Sequence, residues 1–283
     1  MSARGAFEPG AGGQGILPTR AVEKVWGRRE LPEPFASEVR GRVAEGEPVG
    51  EIWFASPAEL DDILVKYLFT SDKLSVQVHP SDVQAHDGED GKEECWLILD
   101  ADPDAKLAIG FKQELSADAM REAALDGSIE DLLEWHSVQA GDFFYLPAGT
   151  VHAIGAGISL VEVQQSSDTT FRLYDYGRPR DLHLERAIAV ADRGSYSAAY
   201  RSRVPDQTCA LVGGPHFQLT RMIGSPDPAL TDQFARPCMV LPLEGEVSLN
   251  GSPVSAGSCA YAGSLSAFRF REEAVALLVA SAS

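Results

Sequence analysis

Cysteine is scarce in the sequence and is not arranged for disulfide or redox chemistry. The four cysteines, Cys95, Cys209, Cys238 and Cys259, are scattered over 283 residues and form no Cys-x-x-Cys pair. A chain of this length can bury a stable core without disulfide bonds. We therefore expect reduced thiols, as in a protein of the cytosol.

Long apolar runs are also missing. No run approaches the roughly 18 residues that a membrane-spanning helix requires, and residues 1–15 lack the apolar segment of a secretory signal. The glycines and small residues of this segment predict a flexible tail over residues 1–20. Together these absences predict a soluble, cytoplasmic protein with no membrane partner.

Positively charged residues are also scarce. The chain has 24 lysines and arginines against 42 acidic residues, which gives a formal net charge of −18. Phosphate backbones are bound by clustered cations, so nucleic acid is excluded as the default partner. An anionic metabolite would also be repelled at long range, and a phosphate site would need locally concentrated lysine and arginine. The composition leaves the oligomeric state open.

Short strands separated by glycine and proline turns dominate what is present. Apolar and β-branched runs of strand length occupy residues 63–69, 74–79, 95–99, 142–146, 151–154 and 159–165. This pattern predicts a mainly β sandwich or barrel of the jelly-roll type. A few inserted helices are predicted as well, at residues 116–125, 128–135 and 182–191, the first two because a serine stands at the capping position.

The composition changes near residue 205, where histidine becomes rare and the strands become simpler. Asn250-Gly251 between two alternating segments predicts a two-residue hairpin. The sequence therefore predicts three parts: a tail over residues 1–20, a first β-domain over residues 21–204, and a smaller β-domain over residues 205–283. The second domain weakly repeats the layout of the first.

A candidate metal site is distributed over three predicted strands. Strand alternation places Gln77 and His79 on one face of the strand that precedes Pro80. For that segment alone a solvated outer face is the better interpretation. The next strand adds Glu94, and the string Gly-Asp-x-x-x-x-Pro-x-Gly-x-x-His ends in His152. Imidazole, carboxylate and amide ligands suit zinc, and also iron, manganese, cobalt or nickel.

Several longer strings carry a family resemblance. They are Leu-Ser-Val-Gln-Val-His-Pro-Ser-Asp at 74–82, Gly-Lys-Glu-Glu-Cys-Trp at 91–96, Gly-Thr-Val-His-Ala-Ile at 149–154, and Gln-Gln-Ser-Ser-Asp-Thr-Thr-Phe-Arg-Leu-Tyr-Asp-Tyr at 164–176. Together they resemble the short bacterial form of class I mannose-6-phosphate isomerase, a member of the cupin superfamily. The resemblance covers residues 22–204 firmly and the remainder in architecture only.

The resemblance implies a fold, an activity and a set of site residues. The implied fold is a cupin jelly roll, or double-stranded β-helix, followed by a degenerate cupin-like domain. The implied activity is metal-dependent interconversion of mannose 6-phosphate and fructose 6-phosphate through a cis-enediol, with one zinc ion or other divalent ion per chain. The implied metal ligands are Gln77, His79, Glu94 and His152, the implied catalytic residues are Lys92, Asp168 and Arg172, and the candidate substrate contacts are Lys24, Tyr174 and Arg178.

Two departures from the family pattern and two alternative functions stay open at this point. Glu93 adds a charge beside a proposed ligand, and the segment between Trp53 and Val65 is shorter than usual.

One alternative is a non-catalytic, sugar-phosphate-binding regulatory cupin, against which the retained Lys92 and Arg172 argue. The other is an iron-dependent cupin dioxygenase, against which the Gln77 ligand argues. Taken in isolation, Asp168 and Arg172 would be interpreted as a surface ion pair of little energetic value.

Overall fold

A computed structural model describes residues 13–39, 46–86 and 88–282 of the chain. The strands up to residue 203 are β1 (Gly15–Ile16), β2 (Thr19–Arg28), β3 (Val49–Phe54), β4 (Ile63–Phe69), β5 (Val76–Val78), β6 (Glu94–Ala101), β7 (Lys106–Phe111), β8 (Leu133–Ser137), β9 (Asp142–Leu146), β10 (His152–Ile154), β11 (Ile158–Gln165), β12 (Phe171–Tyr174) and β13 (Arg201–Arg203).

The remaining strands are β14 (Cys209–Gly213), β15 (Phe217–Ile223), β16 (Cys238–Glu244), β17 (Val247–Leu249), β18 (Ser252–Val254), β19 (Ala260–Ala262), β20 (Phe268–Phe270) and β21 (Val275–Ser281). The helices are α1 (Phe35–Val39), α2 (Ala117–Asp126), α3 (Ile129–Leu132), α4 (Leu184–Val190) and α5 (Pro228–Gln233), with short 3₁₀ turns at Ala58–Leu60, Ala198–Tyr200 and Leu265–Ala267. None of the helices in these residue ranges is long and apolar enough to cross a membrane.

The first domain is a sandwich of two antiparallel sheets, as the jelly-roll prediction requires. The larger sheet has the strand order β13-β9-β6-β11-β4-β3-β2, and the smaller has the order β12-β5-β10-β7-β8. Trp96 and Leu160 of the larger sheet pack against Leu107 and Ile154 of the smaller sheet. This contact brings β5 and β10, which carry Gln77 and His152, over the strand that carries Glu94, and His79 directly follows β5.

The period-two alternation of the strands decides which side chains lie between these two sheets. In β4, Val65 and Tyr67 face one hydrophobic core on the outside of the sandwich, whereas the intervening Lys66 faces the interior cavity. Strands β6 and β11 alternate in the same way, so that Glu94 and Glu162 face inward. The interior of the first domain is therefore unusually rich in charged side chains.

The second domain is a smaller sandwich with an apolar interior. Its six-stranded sheet, β1-β19-β16-β21-β15-β14, and its three-stranded sheet, β18-β17-β20, enclose a cluster that includes Phe234, Val240 and Leu278. The outer face of the six-stranded sheet packs on the outer face of the seven-stranded sheet, where Leu277 and Val279 share a core with Val65, Tyr67 and Val161. The two domains are thus joined by a continuous hydrophobic core.

Residues 15–16 and 19–20, which belong to the predicted tail, lie in strands β1 and β2. Gly15 and Ile16 pair with β19 of the second domain, Leu17 is buried, and Thr19 begins β2. The boundary at residue 20 is therefore wrong, because the free edge of β19 supplies backbone hydrogen bonds to a segment that sequence composition alone marks as flexible. Residues 1–12 lie outside the described residues.

The predicted helices are confirmed in part. The Oγ of Ser116 accepts a hydrogen bond of 3.1 Å from the backbone N–H of Ala119 at the start of α2, and α4 lies inside the predicted range 182–191. The helix predicted for residues 128–135 is wrong beyond Leu132, because Leu133–Ser137 pairs with β7 as strand β8. The Asn250-Gly251 hairpin is confirmed, with positive φ angles at both residues.

Candidate metal centre and substrate cavity

Three titratable side chains meet between the two sheets of the first domain. His79 Nε2 lies 3.5 Å from Glu94 Oε2, and His152 Nε2 lies 3.4 Å from Glu94 Oε1. Ligand atoms of the three residues all lie within 4.8 Å of one another, and all three side chains are buried. Within the described ranges this is the one such group of histidine, cysteine and acidic residues.

Gln77 completes the set because β5 and β10 are hydrogen-bonded neighbours. Gln77 is the cross-strand partner of His152, and its Nε2 lies 3.2 Å from His152 Nε2. Its Oε1 accepts a hydrogen bond of 3.1 Å from the Oγ of Ser75. A half-turn about the last side-chain bond exchanges these two amide atoms, which points the oxygen toward His152 and Glu94.

Backbone carbonyl groups orient both imidazoles for metal binding. His79 Nδ1 lies 2.8 Å from the carbonyl oxygen of Thr169, and His152 Nδ1 lies 3.0 Å from that of Thr150. A carbonyl oxygen can only accept, so each Nδ1 carries the proton. Each Nε2 then carries a lone pair, on the side of the ring that lies next to Glu94. This arrangement of a ring N–H fixed by a carbonyl is usual for histidines that bind metal ions.

The protonation states also suit a divalent ion. Burial lowers the pKa of His79 well below its ordinary value, with a further lowering by Lys92, and burial also lowers the pKa of His152. Burial alone would raise the pKa of Glu94, but Lys92 and His152 outweigh it and the pKa is lowered. Two neutral imidazoles and one carboxylate are the forms that coordinate a metal. The donor set therefore fits a zinc-like ion.

Lys92 reaches the same centre from the loop before β6. Its Nζ lies 2.9 Å from Glu94 Oε2, 3.2 Å from His79 Nε2 and 3.6 Å from Glu162 Oε1. The side chain is buried, which places the ammonium at the junction between the candidate ligands and a second, buried carboxylate.

A row of buried ion pairs continues from Lys92 across the larger sheet. Glu162 Oε1 lies 3.0 Å from Lys66 Nζ, and Glu51 Oε2 lies 3.4 Å from Lys24 Nζ. Burial alone would lower the pKa of Lys66, but Glu162 and Glu51 raise it above the ordinary value. Burial alone would raise the pKa of Glu51, but Lys66 and Lys24 lower it. Lys66 and Glu51 are therefore ionised at neutral pH.

Sequence reasoning missed Lys66, Glu162 and Glu51 as site residues. The available signal was a single charged residue inside an otherwise apolar strand, as in Ile-Leu-Val-Lys-Tyr-Leu-Phe at 63–69. Charged residues are almost never fully buried unless they are paired. Because β3, β4 and β11 each carry one charged residue among apolar ones, these residues can be buried together only as pairs of opposite charge.

A cavity of about 390 Å³ opens over this row. The walls include Lys92, Glu94, Lys66 and Glu162 on the side of the larger sheet, and Gln77 and Arg172 on the side of the smaller sheet. Arg180, His183 and Asp168 line the end beyond β12. The cavity thus joins the candidate metal centre to a cluster of positive charge.

Arg172 projects into the cavity one strand away from Gln77, its cross-strand partner. Its Nε is buried and has no hydrogen-bond partner among the described residues, and no ion pair joins it to Asp168 there. Burial and the nearby Arg180 lower the pKa of Arg172. Asp168 is exposed. The surface ion pair considered in the sequence analysis is therefore absent from the part of the chain that the structure describes.

The three predicted substrate contacts have different positions. Lys24 lines the cavity, whereas Tyr174 and Arg178 do not. A register shift between Arg172 and Tyr174 turns Tyr174 toward α2, where its hydroxyl leaves no room for a Cβ atom at Gly127. Arg178 is held outside the cavity by ion pairs with Asp72 and Asp175.

Glu93 does not add charge to the cavity. The hydroxyl of Tyr145 donates a hydrogen bond to Glu93, and His216 Nε2 of the second domain lies 3.4 Å from Glu93 Oε1. Because neighbouring residues of a strand face opposite sides, Glu93 lies toward the second domain while Glu94 lies in the cavity.

The jelly roll and the paired histidine and glutamate side chains define a metal-binding cupin. No family model matches the chain. The chain is 37% identical to a mannose-6-phosphate isomerase of Streptococcus mutans over 219 residues, which are 71% of this chain and 69% of the relative. It therefore belongs to the mannose-6-phosphate isomerase family, which confirms the resemblance in the sequence analysis.

Solved structures show the same fold. The crystal structure of the mannose 6-phosphate isomerase from Bacillus subtilis superposes with a TM-score of 0.77 at 24% identity, over 94% of this chain and 99% of that one. A mannose 6-phosphate isomerase crystallised with zinc and yttrium superposes with a TM-score of 0.68 at 12% identity, over 96% and 100% of the two chains. The predicted cupin fold is confirmed by these similarities.

Proposed function

We propose that the protein is a metal-dependent aldose–ketose isomerase that interconverts mannose 6-phosphate and fructose 6-phosphate through a cis-enediol intermediate. One observation carries the proposal: His79, Glu94 and His152 form a buried set of candidate metal ligands, and Glu94 of this set lines one cavity together with Gln77, Lys92 and Arg172. Family membership supports the same reaction and the same phosphorylated sugar substrate. We further propose a cytoplasmic location, which the reduced cysteines favour.

The proposed ligands are Gln77, His79, Glu94 and His152, and the proposed ion is a single zinc. The name of the structural neighbour that was crystallised with zinc supports this choice. When bound, a divalent ion polarises the sugar oxygens at C1 and C2 and stabilises negative charge that develops on them.

The side chains around the centre supply the proton transfer. Isomerisation moves one proton between C2 and C1, and it needs a base within hydrogen-bond reach of the carbon-bound proton. Glu162 is the carboxylate next to the centre that is not a proposed ligand, and we assign it this role. Lys92, between Glu162 and Glu94, donates a hydrogen bond to a sugar oxygen as negative charge develops.

The remaining cavity residues orient the sugar. Arg172 faces the cavity beside Gln77, where its planar guanidinium can bind oxygen atoms of the enediolate or of the substrate's phosphate. Asp168 at the rim orients the open-chain sugar through its hydroxyl groups, and Lys24 binds from the opposite wall. A non-catalytic, sugar-phosphate-binding cupin would need contacts to the sugar and its phosphate, but neither a base such as Glu162 nor a donor such as Lys92 beside the ligands, and no observation favours that alternative.

We propose that residues 205–283 form a metal-free domain that stabilises the first. Its interior consists of apolar side chains, and it contributes to the core shared with the seven-stranded sheet. A domain of this size has a marginal core unless it docks on another surface.

The direct test compares two neighbouring glutamates of β6 and its preceding loop. We expect the parent protein to convert mannose 6-phosphate to fructose 6-phosphate, and Glu94→Gln to reduce kcat by at least about 10²-fold through loss of the only anionic ligand. Glu93→Gln is the matched control, because this side chain faces away from the cavity, and its kcat should stay near that of the parent. Binding of mannose 6-phosphate by the parent without any conversion would overturn the proposal and support the regulatory alternative.

A further inference from the structure

We infer that Arg180, with Arg172 and His183, binds the phosphate group of the substrate, and that the buried carboxylate of Asp175 holds Arg180 in position for this. The inference rests on the proposed function, because it assigns an end of the cavity to one part of that substrate. It replaces Arg178, which the sequence suggested, by a residue two positions further along the chain.

Asp175 fixes one edge of the Arg180 guanidinium. Arg180 Nε donates to Asp175 Oδ2 at 2.5 Å, and Arg180 Nη2 donates to Asp175 Oδ1 at 2.6 Å. The Asp175 side chain is only 1% exposed, and that of Arg180 is 29% exposed. A guanidinium has five N–H donors, so the bidentate pair leaves the opposite edge, Nη1 and the second Nη2 hydrogen, available for another oxyanion.

Arg178 is engaged in a different way. Its Nη2 lies 2.5 Å from Asp72 Oδ2 and its Nη1 lies 3.2 Å from Asp175 Oδ1. Both terminal nitrogens thus contact carboxylates, one exposed and one buried, and the residue does not line the cavity. The structure therefore leaves Arg180, and not Arg178, facing the substrate.

Arg172 and Arg180 approach each other with too little negative charge between them. Arg172 and Arg180 line the same cavity; burial and the charge of Arg180 lower the pKa of Arg172, against the raising effect of Asp175 and Asp181. Among the described residues, no carboxylate forms an ion pair with Arg172. Two cations that line one partly buried cavity, of which only Arg180 is paired with a carboxylate, are complementary to a dianion such as a phosphate monoester.

His183 adds a donor to the same cluster. The backbone N–H of Arg172 donates to His183 Nδ1 at 3.3 Å, and the backbone N–H of His183 donates to the carbonyl of Arg172 at 2.8 Å. Because Nδ1 accepts, the ring proton of the neutral imidazole is on Nε2. Burial lowers the pKa of His183, with a further lowering by Arg172, and the neutral ring therefore presents an Nε2–H donor at the cavity wall.

The position of this cluster matches the length of the substrate. His152, Gln77 and Arg172 are cross-strand neighbours on β10, β5 and β12, and His183 is hydrogen-bonded on the far side of β12. Strands are about 4.8 Å apart, so β12 lies roughly 10 Å from β10. An extended six-carbon sugar with a terminal phosphate can bridge that separation, with C1 and C2 at the metal ligands and the phosphate at Arg180.

The test measures the affinity of Arg180 variants for phosphate as well as their kcat and KM with mannose 6-phosphate. For Arg180→Gln we expect KM for mannose 6-phosphate to rise about 10- to 100-fold, the order for loss of a charge-assisted hydrogen bond, with kcat changed less than about threefold. The inhibition constant of inorganic phosphate should rise in parallel. Arg180→Lys should recover only part of the loss, because a lysine keeps the charge but not the planar fork.

Two further variants serve as a surface control and as a test of the Asp175 anchor, and a binding measurement on folded protein removes the dependence on turnover. Arg203→Gln breaks a surface arginine–aspartate pair with Asp142 and should leave KM and phosphate inhibition unchanged. Asp175→Asn keeps Arg180 but loses its anchor, and should raise KM in the same direction. Calorimetry with inorganic phosphate on folded parent and Arg180→Gln protein measures binding without catalysis.

The outcomes separate the inference from the proposed function. Parent protein that binds phosphate but does not convert mannose 6-phosphate would contradict the proposed function and leave the Arg180 comparison valid. Arg180→Gln protein whose KM and phosphate affinity both lie within twofold of the parent would overturn the inference. A fall in kcat with unchanged phosphate affinity would also overturn it, because Arg180 would then act at the reacting carbons.

Discussion

The two domains share an architecture but differ in what their sandwiches enclose. Between the sheets of the first domain lie Lys66, Glu94 and Glu162, whereas the corresponding space in the second domain is filled by residues such as Val240 and Leu278. Both interiors arise from strand alternation. The same fold can therefore support catalysis or stability, depending on which side chains face the space between its two sheets.

The difference has an energetic consequence. Buried charges cost several kcal/mol each to desolvate, and their mutual attraction offsets this only when the pairing is good. In the first domain the ion pairs of Lys66 with Glu162 and of Lys92 with Glu94 supply that pairing. The apolar interior of the second domain, the apolar cluster between the sheets of the first domain and the core shared by both domains stabilise the fold around these charges.

The largest effect is expected from removing Lys92, at the centre of the charged interior. Lys92→Met should lower kcat about 10²- to 10⁴-fold, the order for loss of a group that assists proton transfer. Steady-state kinetics with mannose 6-phosphate measures this, and thermal unfolding shows whether the variant folds. A kcat within threefold of the parent would remove Lys92 from the reaction.

Lys66 offers a test of stability in the same interior. Lys66→Met leaves Glu162 and Glu51 with fewer opposite charges, and should lower the free energy of unfolding by about 3–5 kcal/mol, the usual cost of removing one partner of a buried pair. The double variant Lys66→Met, Glu162→Leu should recover part of that loss in denaturant unfolding. Equal stabilities of the parent and the single variant would show that the charged row contributes nothing to the fold.

The apolar interior of the second domain should respond in stability alone. Leu278→Ala removes a fully buried side chain and should cost about 2–5 kcal/mol in denaturant unfolding, with kcat and KM unchanged in the folded protein. Leu160→Ala is the matched change in the first domain. It should cost a similar amount and also lower kcat, because Leu160 belongs to the cluster of Trp96, whose ring lies 5.2 Å from that of His152. Equal effects of both changes on kcat would contradict the assignment of catalysis to the first domain and of stability alone to the second.

The four proposed ligands could be named from the sequence because their signals are local, and the structure brings His79, Glu94 and His152 together. Alternation within one strand puts Gln77 and His79 on the same face, and the long matching strings supply Glu94 and His152. Lys66 and Glu162 were missed because their pairing depends on the register of β4 with β11, in which they are direct partners. That register is a property of the two paired strands, so the sequence of either strand alone does not reveal it.

Two other errors have equally specific causes. Simple alternation puts Arg172 and Tyr174 on one face, but the register shift between them turns Tyr174 away, as β-bulges do. The capping signature at Ser128 favours a helix, but Ser128 forms no side-chain cap and the ladder with β7 converts residues 133–137 to a strand. In both cases tertiary pairing outweighed the local preference.

The central claim is that the charged interior of the first domain holds a catalytic metal ion. The most direct measurement removes metal from the parent protein with a chelator, then titrates zinc back while metal content and conversion of mannose 6-phosphate are recorded together. We expect activity to disappear on removal and to return in proportion to zinc, reaching its maximum at one ion per chain. Full activity in protein shown to be free of metal would contradict it.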